Sequence, residues 1–179
     1  MESRETVVLA GGCFWCTEAV FVEVRGVLAV ESGYCNGHAQ QPTYEDVCTG
    51  TTGYAEVIRI EFDPAVIGLR QILDIFFATH DPTTLNRQGA DVGTQYRSGI
   101  YFTHPAQEAV ALDLIKELDA QEAFGAPIVT EVRPLQNYHR AEDYHQEFFA
   151  RHPYHGYCMA VAAPKVQKLR RTYTEWLKR

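Results

Sequence analysis

The sequence predicts an α/β (α+β) fold: a ferredoxin-like split β-α-β core with a mixed sheet, followed by a coil-rich C-terminal segment from about residue 135 to residue 179. Three observations carry this expectation. The chain has 179 residues, 46% of them hydrophobic, which suits one domain with a substantial core. Short apolar runs and helical periodicities alternate in the order β-α-β-β-α-β-α-β, whose first six members match the split β-α-β plan. After Pro134 the composition shifts to crowded Tyr, His and Phe with weak periodicity, as expected of a segment wrapped over a core.

Thr6–Ala10 reads as a buried strand, stopped by Gly11-Gly12, and Cys13–Val22 as the helix after it. Gly26–Gly33 is a second strand, and Tyr34–Gly53 a loop-rich excursion in which Pro42–Val47 can make one helical turn. Tyr54–Phe62 is the clearest strand, ended by Asp63-Pro64. Leu69, Ile72, Leu73, Phe76 and Phe77 place Leu69–Ala78 in an amphipathic helix. A polar loop, Asp81–Thr94, leads to a strand over Gln95–Phe102; a helix over Ala106–Phe124 and a strand over Ile128–Arg133 come next. The tail offers one helical stretch near Ala141–Arg151 and a final helix at Lys165–Leu177, whose Lys and Arg residues read as a solvated face. No repeat and no low-complexity linker divides the sequence, so residues 1–179 are expected to act as a single domain.

Sixteen Lys and Arg oppose 23 Asp and Glu, a formal charge of −7 that repels phosphate backbones and argues against nucleic acid. The first residues lack the basic start and long apolar core of a signal peptide, and no window is long enough to span a bilayer. A cytoplasmic location with reduced thiols is therefore expected, and a monomer by default. The five cysteines, an odd number, do not read as a secreted disulfide framework.

The stretch Gly11-Gly12-Cys13-Phe14-Trp15-Cys16 ends a buried strand and opens a helix. Free N–H groups and the helix dipole favour an anion there, so Cys13 is expected to have a depressed pKa and to be nucleophilic. The glycines allow a tight turn and a close approach to the sulfur. Phe14 and Trp15 stand beside it and can line an apolar pocket. Three readings of Cys13-x-x-Cys16 remain open: buried structural cysteines, half of a zinc site in a binding module, or redox chemistry. The redox reading divides between thiol–disulfide exchange by Cys13 and Cys16 and sulfoxide- or peroxide-type chemistry at Cys13 alone. The remaining cysteines supply no second close pair for zinc, and no metal site is expected. His139, His145, His152 and His155 suggest a metal cluster by composition only; His145 is a candidate for shaping a pocket.

Period-two alternation places Glu56 on one strand face with Ile58, Ile60 and Phe62, a costly position for a carboxylate unless it is neutral. Desolvation raises a carboxyl pKa and keeps a proton donor available at neutral pH. The same alternation puts Tyr96 on a face with Ile100 and Phe102, while Tyr44 lies in a loop with no amphipathic pattern to bury it. Nucleophile, acid and two hydroxyl donors make a coherent set.

Gly12-Cys13-Phe14-Trp15, Pro42-Thr43-Tyr44, Gly53-Tyr54-Ala55-Glu56-Val57 and Gly93-Thr94-Gln95-Tyr96-Arg97-Ser98 resemble the type A peptide methionine sulfoxide reductases. His80-Asp81-Pro82, Ala141-Glu142-Asp143-Tyr144-His145-Gln146 and Gly156-Tyr157-Cys158 match that family in the same order, from about residue 6 to about residue 165. The resemblance implies that Cys13 attacks the sulfoxide, Phe14 and Trp15 hold its methyl group, and Glu56 is the acid. It implies that Tyr44 and Tyr96 bond the sulfoxide oxygen and that Asp91 supports them. It further implies that the S epimer is read, free or in oxidised proteins, and that Cys158 resolves the Cys13 sulfenic acid to a disulfide. Thioredoxin would reduce that disulfide as external reductant, with no bound cofactor. Cys16 stands where many relatives have glycine, and its role as a second thiol stays open. Cys48 after Val47 is expected to be buried, and Cys35 to lie in a Gly/Asn loop.

Overall fold

The computed structural model describes residues 4–178. Its strands are β1 (Glu5–Gly11), β2 (Val27–Cys35), β3 (Ala55–Phe62), β4 (Arg87–Gln88), β5 (Asp91–Val92), β6 (Ser98–Phe102), β7 (Glu131–Pro134) and β8 (His139–Arg140). The helices are α1 (Phe14–Phe21), α2 (Tyr44–Cys48), α3 (Leu69–Ala78), α4 (Pro105–Ala120), α5 (Phe148–Arg151) and α6 (Ala163–Thr172). Six strands form one mixed sheet in the order β7-β6-β1-β3-β2-β8, and β4 and β5 pair separately. The inner four are all antiparallel neighbours. Their connectivity is the split β-α-β arrangement that the element order predicts. The appended α4–β7 unit adds a strand parallel to β6, as a crossover helix requires.

Alternation sorts the strands between two faces. Val7 and Leu9 of β1, Ile58, Ile60 and Phe62 of β3 and Ile100 of β6 pack under the helices in the main core. Val8, Ala10, Ala55, Val57 and Tyr101 point the other way, where Leu135 and Tyr138 of the returning chain cover them. Gly33 makes that cover possible. A Cβ there would lie 2.7 Å from the Tyr138 ring and from the His139 carbonyl oxygen.

Helix α3 behaves as its spacing predicts, burying Leu69, Ile72, Leu73, Phe76 and Phe77. Helix α1 is different: every residue from Cys16 to Phe21 is buried. It lies between the sheet and the C-terminal segment, and a helix covered all round carries no amphipathic stripe.

Several expected boundaries differ. The strand expected over Gln95–Phe102 begins only at Ser98, because Thr94–Tyr96 is a 3-10 turn entered from Gly93 at φ 144°. Tyr96 therefore does not belong to an alternating strand face. The stretch Ala141–Arg151 is not one helix. A 3-10 turn at Asp143–His145 is separated from α5 by Gln146, in an extended conformation, and Glu147, left-handed at φ 55°. The segment expected to be coil is coil-rich only as far as residue 155; residues 156–172 form a helical run with a π-turn at Cys158–Ala162. Cys35 ends β2 and is buried rather than in a loop. Cys48 is exposed rather than buried, because Val47 alone turns inward from α2.

Candidate active site

Cys13 is the N-cap of α1. It is half-buried at the end of β1, where Gly12 makes the turn at φ 92°. The glycine does not leave open space. A Cβ on Gly12 would meet Cγ of Gln88 at 2.6 Å, so the β4 side chain closes that side of the turn.

The expectation of a depressed Cys13 pKa is not met. Burial pushes the thiol well above its ordinary value, and contact with Cys16 and the charge of Glu56 push the same way. The N–H of Trp15 opposes them and is outweighed. A helix terminus favours a thiolate only where the thiol is not also desolvated beside an acid.

Glu56 is 1% exposed on β3, on the helix-covered face as alternation predicts. Its Oε1 accepts the backbone N–H of Phe14 at 3.2 Å, the first free amide of α1. Its Oε2 is buried with no partner. Burial raises its pKa from 4.5 to about 8, with the Phe14 N–H opposing and Asp91 and Cys16 adding to the rise. A neutral carboxyl, with a bare oxygen beside the helix start, is thus available as a proton donor at neutral pH.

Tyr44 is the first residue of α2, and Tyr96 lies in its 3-10 turn. Burial raises both phenols, and Glu56 is among the charges that raise them further. The hydroxyls are protonated donors that share Glu56's surroundings. Thr43 caps α2 by accepting the N–H of Asp46, and Glu142 Oε2 accepts the N–H of Tyr44 at 2.9 Å. Glu142 Oε1 accepts the hydroxyl of Tyr34 at 2.8 Å. Sequence reasoning gave neither Glu142 nor Tyr34 a role. Their signal was an acidic motif far along the chain and a strand end read as loop.

Phe14 is fully buried, against Tyr34 at 5.6 Å and His145 at 5.0 Å between ring centroids. Trp15 is half-buried, stacked on Phe148 at 3.8 Å and 6°, with Tyr157 edge-on at 5.9 Å. Its indole N–H donates to Nδ1 of His145 at 3.0 Å. That bond places the His145 proton on Nε2, which is buried and unpartnered. Burial lowers the His145 pKa to about 4, so the ring is neutral at pH 7. Asp91 of β5 accepts the hydroxyl of Tyr157 at 2.5 Å, a contact the sequence did not suggest.

Cys158 is buried with Cys16 and Ala162 in one small cluster, against which Cys13 and Tyr157 pack. Among the described residues no three His, Cys, Asp or Glu side chains are grouped to hold a metal ion. None of the described helices is long and apolar enough to cross a membrane.

A thiol at a helix start, a neutral buried acid and two phenols define a thiol-dependent oxidoreductase on a ferredoxin-like sheet. Residues 5–177 match the sequence profile described as peptide methionine sulfoxide reductase. A peptide methionine sulfoxide reductase MsrA from Ralstonia nicotianae is 56% identical over 98% of this chain and 94% of its own. Another from Deinococcus radiodurans is 52% identical over 98% of this chain and 85% of its own. Among solved structures, reduced Mxr1 from Saccharomyces cerevisiae aligns with a TM-score of 0.79 at 36% identity, covering 87% of this chain and 89% of that one. The same yeast protein in complex with Trx2 aligns with a TM-score of 0.56 at 26% identity, covering 81% and 84%. The chain belongs to the peptide methionine sulfoxide reductase family. It is an oxidoreductase that reduces methionine sulfoxide.

Proposed function

We propose that the chain reduces the S epimer of methionine sulfoxide, free and in oxidised proteins, by oxygen transfer to Cys13. The observation that carries the assignment of roles is the bare, buried Oε2 of a neutral Glu56 beside the start of α1. Phe14 and Trp15 hold the substrate methyl group, and Asp91 supports the pocket through Tyr157. Tyr44 and Tyr96 hydrogen-bond the sulfoxide oxygen. A sulfoxide sulfur becomes electrophilic as its oxygen is protonated or strongly bonded, so the donors act where charge develops.

Glu56 gives its proton to that oxygen while the Cys13 sulfur attacks, and the carboxylate left behind takes the thiol proton. Methionine leaves, the oxygen remains on Cys13 as a sulfenic acid, and Glu56 is protonated again. This exchange removes the difficulty of a raised Cys13 pKa, because the base appears only as the substrate is protonated. Cys158 then supplies the thiol that resolves the oxidised state to a disulfide, with water as the other product. A thioredoxin-class dithiol restores the enzyme, in keeping with the yeast relative's complex with Trx2. No bound cofactor enters the cycle. We further propose that residues 1–179 work as one catalytic domain and that the enzyme acts in the cytoplasm, where thiols stay reduced.

The alternative of a Cys13/Cys16 thiol–disulfide exchanger makes no use of Glu56, Tyr44 or Tyr96. Single-turnover assays with each methionine sulfoxide epimer separate the two readings. Wild type should yield methionine from the S epimer alone, and Cys13→Ser none from either. Methionine produced by Cys13→Ser would overturn the assignment of the nucleophile.

A further inference from the structure

We propose that the cleft between the end of α3 and the start of α6 is a subsite for oxidised polypeptide, taking an acidic stretch of chain that flanks the methionine sulfoxide. It rests on the reading that protein-bound methionine sulfoxide is a substrate, and it names the sequences that are favoured. The basic residues of α6 read as one solvated face, but the structure divides them. Arg170 is held by Glu23 at 2.8 Å. Lys165 and Lys168, three residues apart on one side of the helix, instead line a cleft of about 460 Å³. Among the described residues neither lysine forms an ion pair. Phe77 and Ala78 of α3, Pro164 of α6 and Phe124 after α4 supply the apolar lining, and Phe124 is 36% exposed. Asp81 is the one carboxylate in that lining, and its Oδ1 already accepts the N–H of Thr83 at 2.9 Å and its hydroxyl at 2.6 Å.

Gln88 joins the cleft to the nucleophile. Its amide is clamped on Asp81, accepting the Asp81 N–H and donating to the Asp81 carbonyl, both at 2.9 Å. The same side chain covers Gly12, so it stands beside the turn that presents Cys13. Gln88 and Lys165 also line a smaller hollow of about 130 Å³ together with Asp91 and Tyr157. A polypeptide whose sulfoxide lies at Cys13 therefore meets the cleft on the other side of a single fixed side chain. Free methionine sulfoxide has no chain to extend there.

Charge selects the occupant. At a formal −7 the protein as a whole repels acidic segments. Two ammonium groups without carboxylate partners, set against an apolar lining, reverse that repulsion locally. They favour a segment that combines Asp or Glu with an apolar side chain, and they disfavour a basic one.

Peptides that each carry one methionine S-sulfoxide test this, with a Glu, Gln or Lys pair moved through successive positions on either side of it. Rates are taken at low salt with dithiothreitol as reductant. In wild type the best-placed Glu pair should raise kcat/KM at least about 3-fold over the Gln pair, the size two exposed ion pairs give, and the Lys pair should lower it. The gain should vanish at about 1 M salt. Lys168→Glu should abolish the preference, and Phe124→Ala should lower kcat/KM for the Glu peptide. Both variants should reduce free methionine S-sulfoxide at the wild-type rate, which also reports that they fold; the wild-type series decides alone for a variant that does not. Equal kcat/KM for the three series at every position, or a preference that Lys168→Glu leaves intact, would overturn the subsite and leave the reductase reading standing. An effect of Lys168→Glu confined to the KM for a thioredoxin would overturn it too, giving the cleft to the reductant. Wild type that converts free methionine sulfoxide but no peptide would overturn the protein-substrate reading itself.

Discussion

Glu56 shows how one residue's chemistry derives from its place on a strand. Its neighbours at two-residue spacing are Ile58, Ile60 and Phe62, and all four are buried on the face that α1 covers. A carboxyl in that company titrates near 8 rather than 4.5. Because its folded pKa is raised, the protonated form is favoured by folding, and that stabilisation is lost as pH rises through about 8. Activity should fall over the same range, since the proton donor disappears. Glu56→Gln should cost roughly 10²–10⁴ in the rate of methionine formation, the range for loss of a general acid. It should also abolish the alkaline fall centred near 8. A variant that keeps the wild-type alkaline limb would assign that limb to another group. This carboxyl was legible in the sequence because strand alternation is a local rule. Tyr96, a site candidate from the sequence, lies in a 3-10 turn and not on the strand the alternation places it in. The alternation argument could not see that Gly93 starts a 3-10 turn and that Arg97 ties it down, bonding the Thr94 carbonyl at 2.9 Å and Glu131 at 3.2 Å.

At the scale of elements, α1 and the broken helix around Gln146 were hard to read for one reason: each answers to the other. The Gln146 side chain accepts the N–H of Ser32 at 2.9 Å and donates to the Ser32 carbonyl at 2.9 Å, imitating one more strand partner on the edge of β2. Glu18 of α1, 2% exposed, accepts the Ser32 hydroxyl at 3.3 Å and is bonded by the N–H groups of Glu147 and Phe148. The contacts of Gln146, Glu147 and Phe148, each with a partner over a hundred residues away in sequence, outweigh the helical propensity of Ala141–Arg151. They also set Phe148 flat on Trp15. Burial raises the Glu18 pKa to about 7 despite those hydrogen bonds. The sign is that of an acid more protonated when folded: its contribution is complete below 4.5 and lost as pH rises to about 7. A shift of that size corresponds to about 3 kcal/mol. Glu18→Gln, which keeps the shape without the titration, should flatten the decline in unfolding free energy between 4.5 and about 7. Denaturant midpoints across that interval measure it; a decline as steep as that of wild type would show that Glu18 does not titrate there.

For the whole molecule, the order of elements dictated the central sheet, because a split β-α-β chain with short connections has few ways to pair its strands. The path of the last forty residues was not legible. Its strand β8 has two residues and no period, and Glu142, which pins it across Tyr34 and Tyr44, carries no local pattern. That path has a functional consequence. The chain end returns to the loop after α1, where Arg25 N–H bonds the Trp176 carbonyl at 2.6 Å and Lys178 N–H bonds the Glu23 carbonyl at 2.9 Å. The helical run before it is thereby tied down at its C-terminal end, and Cys158, within that run, is closed in together with Cys16. An external dithiol cannot attack a sulfur with no exposed surface, so the run must open after oxidation. The place to open is the π-turn at Cys158–Ala162, whose widened hydrogen bonds are the least regular part of the run and which precedes Pro164. A disulfide drawn from Cys158 to Cys13 would pull on that turn. Amide hydrogen exchange should accordingly quicken within residues 156–162 once the enzyme has turned over without reductant, with the amides of β1 and β3 unchanged. Restoring a dithiol should return the slow exchange. If the oxidised enzyme protects residues 156–162 as well as the reduced one does, the opening lies elsewhere in the segment, and the Tyr157–Asp91 contact becomes the next hinge to examine.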